Sequence, residues 1–256
     1  MRGAVAAIAV NTVRDAVRNR VLYILVFFSL VMIGTSVVLA TLSYVERARI
    51  LQDVGLGAIR FFGAAIAIFM GVNLIHREVE RRTIYTILSK PVTRASFLAG
   101  KYLGLVATLW LQLAIMMLAF VLVSLASGAA LGAGHAIALG LVAVELAVVV
   151  AFATLFSSFA TPFLAACYSV GLYLVGHLTR DLRALGAGSE SEVFAQTAVW
   201  IHRVFPDLSA LNRTIEAVHG LPIPPPEIGW ALVSGLAWCL GFLLVAVVVF
   251  ERRDFR

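Results

Sequence analysis

The chain has 256 residues, 61% of them hydrophobic and 13% charged, with a formal net charge of +6. Soluble domains carry ~25% charged residues, so this composition excludes a water-facing globule that could bury its apolar surface in one core. The apolar residues come in continuous runs of about 20 rather than in alternation, which favours membrane-spanning α-helices over a β-barrel. The positive balance does not mark a nucleic-acid partner, because the basic residues lie beside the apolar runs rather than on one exposed face.

Residues 4–20 form an amphipathic segment. Val5, Ile8, Ala9, Thr12, Ala16 and Val17 recur at helical spacing, with Asn11, Arg14 and Arg18 opposite. The pattern predicts an interfacial helix with its arginines toward lipid phosphates. The leader is too long, and the apolar run after it too extended, for a cleaved signal peptide, so an uncleaved first span is expected.

Six spans are predicted, at 21–43, 58–75, 98–126, 136–158, 161–178 and 229–250. The fifth opens near Pro162, where a missing N–H costs little. Ser157-Ser158-Phe159-Ala160-Thr161 reads as the tight turn between spans four and five. Between spans one and two, residues 44–57 read as a short amphiphilic connection. In span two, Gly63, Ala67 and Gly71 give the small-x-x-x-small spacing that permits close helix contact, within the chain or across a dimer. Cys167 and Cys239 both fall inside spans and read as small buried hydrophobes.

Orientation follows from the lysines and arginines. Segments 1–20, 76–101 and 251–256 hold Arg2, Arg14, Arg18, Arg20, Arg77, Arg81, Arg82, Lys90, Arg94, Lys101, Arg252, Arg253 and Arg256, leaving seven of the 20 basic residues for the other side. Both termini are therefore expected in the cytoplasm. The opposite face then carries a loop at 179–228, expected to be a small external helical cap. Ser189-x-x-Glu192 fits a capping box there. Val193, Phe194, Thr197, Trp200, Ile201, Val204 and Phe205 line one helical face up to Pro206. A second short helix would use Leu208, Leu211, Ile215 and Val218. The run Pro222-Ile223-Pro224-Pro225-Pro226 reads as stiff and extended, re-entering the membrane at Trp230.

The densest polar island, residues 76–101, lies between spans two and three. Glu78 and Glu80 suit the positive end of a helix dipole. Ile84, Ile87 and Leu88 form a stripe at i, i+3, i+4, flanked by Tyr85. Lys90 precedes Pro91 and is pushed out of the α region, so the helix should stop near Ser89. Thr93 can cap the next helix. The predicted form is an elbow: span, short helix, proline break, span. A merely solvated positive loop would need neither the apolar stripe nor the proline between two rigid helices.

The residues Glu78-x-Glu80-Arg81-Arg82-Thr83-x-x-x-x-Leu88-Ser89-Lys90-Pro91-Val92-x-Arg94, followed by Phe97-Leu98-x-Gly100-Lys101, resemble the signature of type-2 ABC exporter permeases. The closest group includes the permease of nitrous-oxide-reductase maturation. The family pattern is E-x-E-R-x-T-x-x-x-L-L-S-x-P-V-x-R-x-x-x-L-x-G-K, and Ile84-Tyr85-Thr86-Ile87 departs from the usual Gly-Thr-Leu beginning. Six spans, an N-terminal interfacial helix, the basic end Glu251-Arg252-Arg253-Asp254-Phe255 and the external Phe205-Pro206-Asp207-Leu208-Ser209 are also similar. The resemblance implies that the short helix is a cytoplasmic coupling helix docking on an ATPase. Arg81, Arg82 and Lys90 would then make rim contacts and Ile84, Tyr85 and Leu88 buried ones, with Glu78, Glu80, Thr83, Pro91 and Arg94 completing the segment.

It also implies an all-α polytopic membrane protein forming a single permease domain over 1–256 in the inner membrane. The assembly would hold two ATPase subunits carrying ATP and Mg, and a second permease subunit, identical or paralogous, with room for an external accessory protein. The chain has no P-loop of its own: Gly100-Lys101 is followed by Tyr102 and lacks the upstream glycine. No catalytic, cofactor or metal-binding residues are expected. His76, His135, His177, His202 and His219 have no ligand spacing and read as interfacial or loop residues. Ser157-Ser158 lacks a nucleophile context. Glu145, near the middle of span four, must be protonated, paired or facing a polar cavity. It reads either as part of a transport path or interface, or as a structural hydrogen bond to Ser169 or Thr108. An alternative whole-chain reading is a membrane anchor that recruits a cytoplasmic partner without transport.

Overall fold

The structure, a computed structural model, describes residues 2–42, 46–80, 93–189 and 191–252. The described chain is all-α, without a strand. Its helices are α1 (Arg2–Val17), α2 (Arg20–Ala40), α3 (Arg47–Glu80), α4 (Arg94–Ala126), α5 (Ala133–Phe159), α6 (Pro162–Ala187), α7 (Glu192–Val204), α8 (Thr214–Val218) and α9 (Pro225–Arg252), with a 3-10 turn at Ser209–Leu211. Among the described residues six helices, α2 to α6 and α9, are long and apolar enough to cross a bilayer.

Several helices outrun the boundaries expected from hydropathy. Helix α3 starts at Arg47 rather than near 58, absorbing most of the expected connection, because Leu51, Leu56 and Ile59 are buried against the bundle. Gln52 adds a tie, its Nε2 donating to Ala130 O at 2.9 Å. Helix α6 continues to Ala187, where the expectation ended it at 178. Its added turns bury Thr179 and Gly186, the latter so close to α7 that a Cβ would lie 2.7 Å from Ala198 Cβ. The turn between α5 and α6 shrinks to Ala160-Thr161. Ser157 and Ser158 stay helical because their hydroxyls find carbonyls: Ser157 Oγ donates across to Val72 O (2.7 Å), and Ser158 Oγ to Leu155 O (2.6 Å).

Helix α5 occupies the middle of the bundle. Val149, Val150, Ala151, Phe152 and Ala153 are all fully buried, and α3, α4, α6 and α9 pack around them. The Gly63-Ala67-Gly71 stripe of α3 is consumed in this contact. A Cβ on Gly63 would meet Leu146 Cδ1 at 2.6 Å, and one on Gly71 would meet Ala153 Cβ at 2.5 Å and Val150 O at 3.2 Å. The stripe therefore serves packing inside the chain, not a dimer face. Cys239 is buried, whereas Cys167 faces outward, unlike the buried position expected for both.

Helix α1 also uses small residues. Gly100 and Gly104 of α4 admit its backbone, with added Cβ atoms 3.0 Å from Val5 O and 2.6 Å from Ala9 O. Thr12 and Ala16 are buried on that face, while Asn11, Arg14 and Arg18 are exposed.

At the other end of the bundle α7, the 3-10 turn and α8 form a small helical cap. Ser191, rather than Ser189, caps α7, its hydroxyl accepting from Phe194 N at 3.5 Å. Ser189 Oγ instead accepts from Ser191 N (3.1 Å). Pro206-Asp207-Leu208 docks on α6 at Gly176, where Leu208 N donates to Gly176 O at 3.0 Å. Asp207 Oδ1 accepts from Ala210 N (3.2 Å) and Thr179 Oγ1 (3.3 Å), a turn-forming role. The proline run is extended only in part: Pro225 and Pro226 already belong to the first turn of α9, where absent N–H groups cost nothing.

Candidate functional site

Two places in the fold combine polar side chains with an otherwise apolar bundle. The first is the elbow between α3 and α4. Helix α3 runs unbroken to Glu80, so Glu78 and Glu80 lie in its last turn, and α4 begins at Arg94. Arg81, Arg82, Thr83, Ile84, Tyr85, Leu88, Lys90 and Pro91, together with the expected helix stop and proline break, lie outside the described residues. Thr93 caps α4 as its sequence predicts, with Oγ1 accepting from Ser96 N at 3.2 Å. At 34 and 33 residues, α3 and α4 are each about 50 Å long at 1.5 Å per residue, against a hydrocarbon core of ~30 Å. The elbow end therefore stands clear of the core if the cap rests near the opposite surface.

Arg94 has a defined place there. Its Nη1 donates to Phe250 O and Glu251 O, both at 3.0 Å, satisfying carbonyls in the last turn of α9. Cations at a helix C-terminus also interact favourably with its dipole. Phe97 stacks on Phe250 beside this bond, with centroids 6.3 Å apart and rings inclined by 19°. The start of α4 is thus clamped to the end of α9, and α1 covers its next two turns.

The second place is an ionic cluster inside the bundle. Glu145 of α5 is fully buried. Its Oε1 lies 3.0 Å from His177 Nε2 on α6, and its Oε2 lies 3.6 Å from Arg60 Nε on α3. The latter is an ion-pair distance too long for a hydrogen bond. Arg60 Nη2 also stands 3.4 Å from His177 Nε2. Tyr173, one turn from His177, sets its ring edge-on to the imidazole with centroids 4.5 Å apart. Three helices thus meet in a polar site at mid-span, α3 through Arg60, α5 through Glu145 and α6 through His177 and Tyr173.

This replaces the expected partners of Glu145. Thr108 and Ser169 bond within their own helices, to Gly104 O (2.8 Å) and Ala165 O (2.7 Å). His177 is likewise no loop or interface residue, because α6 carries it into the bundle. Arg60 and Tyr173 were missed by sequence reasoning. The available signal was one ionisable residue in each of three apolar segments, since such residues inside a membrane pair with one another.

A family model described as ABC-2 family transporter protein matches residues 6–255. The chain belongs to the ABC-2 transporter family. The match covers nearly the whole sequence, elbow and cap included, and identifies an ABC transporter permease, a multi-pass membrane subunit that works with an ABC ATPase subunit. No curated protein matches the chain significantly.

Proposed function

We propose that this ABC-2 permease is the membrane half of an exporter, driven by a separate ATPase that grips residues 78–90. The observation supporting this reading is the length of α3 and α4, which carry the polar segment between them well beyond a ~30 Å hydrocarbon core. Both helices pack along α5, so a displacement at the elbow is passed to the bundle centre without an intervening hinge. The assembly is two permease subunits over two ATPase subunits, with ATP and Mg held by the latter. Within it, Ile84, Tyr85 and Leu88 make the apolar contact and Arg81, Arg82 and Lys90 the rim. Arg94 is tied to α9, and its part is to transmit movement rather than to touch the ATPase. Glu145, Arg60 and His177 lock α3, α5 and α6 together at mid-span.

The basic residues of segments 1–20, 76–101 and 251–256 support a cytoplasmic position for both termini and the polar segment of an inner-membrane protein. The Glu78–Lys101 pattern favours the group that includes the nitrous-oxide-reductase maturation permease. The combined Ile84→Asp and Leu88→Asp substitutions are expected to abolish co-purification of the ATPase while leaving the permease in the membrane. Unchanged co-purification would rule out this docking site.

A further inference from the structure

A cavity of about 720 Å³ opens at the elbow end, between α1, the first turn of α2, the end of α3 and the start of α4. Its size falls within the ~300–1,000 Å³ typical of small-molecule sites. Three cations line it: Arg18 and Arg20, both exposed, and Lys101, which is buried with its ammonium 5.9 Å from the Phe97 ring centre. Asp15 supplies one opposing charge, and Asn19 and Asn73 supply amides. Apart from Thr12, the rest of the wall is apolar and includes Leu22, Phe69 and Leu105.

We infer that this cavity is a binding site for the head group of an anionic phospholipid. Arg18 and Arg20, both exposed, give the charge and donors a phosphodiester needs, and Lys101 adds positive charge behind them. Asp15 disfavours a bare polyanion but can accept a hydrogen bond from head-group hydroxyls; its Oδ2 already lies 3.5 Å from Asn11 Nδ2. The depth agrees, because Arg20 opens a membrane span and α1 is the amphipathic segment leading into it. The apolar part of the wall, Leu22, Phe69, Met70, Leu74 and Leu105, offers acyl chains contacts that a free phosphate would leave unused. Because α1, α3 and α4 all contribute, a lipid held there would brace both helices that flank the elbow.

The site can be tested on the full chain in phosphatidylcholine nanodiscs, with or without phosphatidylglycerol, by native mass spectrometry of lipid retained after mild detergent release. Wild type should retain phosphatidylglycerol in preference to phosphatidylcholine. The Arg18→Gln, Arg20→Gln double variant should lose that retention by about tenfold, a change of ~1.4 kcal/mol. Arg14→Gln, one turn earlier on α1 and outside the cavity lining, should behave as wild type. Equal retention of the two lipids, or an equal loss in Arg14→Gln, would overturn the inference by reducing it to general surface charge. Inorganic phosphate that displaces phosphatidylglycerol at equimolar concentration would overturn it too, since the tails would then contribute nothing. Both substituted arginines are exposed, so the fold is not at risk, and the readout needs no ATPase.

Discussion

Glu145 shows what an ionisable side chain needs in order to persist at mid-span. Its two oxygens are divided between His177 at 3.0 Å and Arg60 at 3.6 Å, so removing the carboxyl leaves a guanidinium and an imidazole facing each other across 3.4 Å. Deleting one partner of a buried pair costs more than the pair itself contributes, because the other charge is left uncompensated. Glu145→Ala is therefore expected to destabilise the detergent-solubilised protein by about 3 kcal/mol, read as a lowered Tm. Glu145→Gln retains an acceptor for His177 but leaves the Arg60 guanidinium without its counter-charge, so it too should lower the Tm, by up to about 3 kcal/mol of stability. A Glu145→Gln variant as stable as the wild type would contradict the ionic lock. Glu145 stands out in the sequence, yet its partners did not: Arg60 is 85 positions upstream and His177 is 32 downstream, and spacing carries no information about which helices meet.

At the scale of the element, small residues decide which helices approach. Gly71 faces Ala153 and the backbone of α5, where an added Cβ would sit 2.5 Å from a methyl and 3.2 Å from a carbonyl oxygen. Gly71→Val should force α3 and α5 apart and cost ~1–3 kcal/mol, the usual range for overpacking a filled contact. Gly57 on the same helix faces open space, and a Cβ added there would meet nothing within 4 Å. Gly57→Ala should accordingly be neutral or stabilise slightly, since alanine favours helix by up to ~1 kcal/mol. Thermal unfolding of the two variants side by side separates the packing effect from helix propensity. The small-residue stripe was legible in the sequence, but its partner was not, because the same spacing serves contacts inside a chain and between chains. Helix ends were legible where a cap enforced them, as at Thr93. Elsewhere the ends move, because tertiary burial of Leu51 and Leu56 extends α3 past the point where hydropathy falls.

At the scale of the whole molecule, the six long helices separate two unlike ends. One gathers α1, the start of α4 and the end of α9, where Arg94 bonds Phe250 O and Glu251 O; the other carries the cap, held to α6 at Gly176 and to α9 by Arg213, which bonds Glu216 at 2.8 Å and Glu227 at 2.7 Å. The proposed orientation predicts opposite labelling of the two ends. In a Cys167→Ser background, Gln196→Cys on α7 should react with a membrane-impermeant maleimide in intact spheroplasts, and Arg18→Cys only after permeabilisation. The reverse pattern would invert the topology and remove the cytoplasmic assignment of the elbow.

The fold class and the six spans follow from the sequence alone, because a bilayer imposes a length and a polarity on every segment that crosses it. The Glu78–Lys101 pattern likewise carried the family resemblance without any contact being known. Tertiary structure alone decided which polar groups meet: Arg60 with Glu145 and His177, Arg94 with the last carbonyls of α9, and the basic pocket where α1 joins α2. Those pairings depend on how helices distant in sequence are rotated against one another. That rotation is set by close packing at glycines such as Gly63, Gly71 and Gly100, which hydropathy does not record.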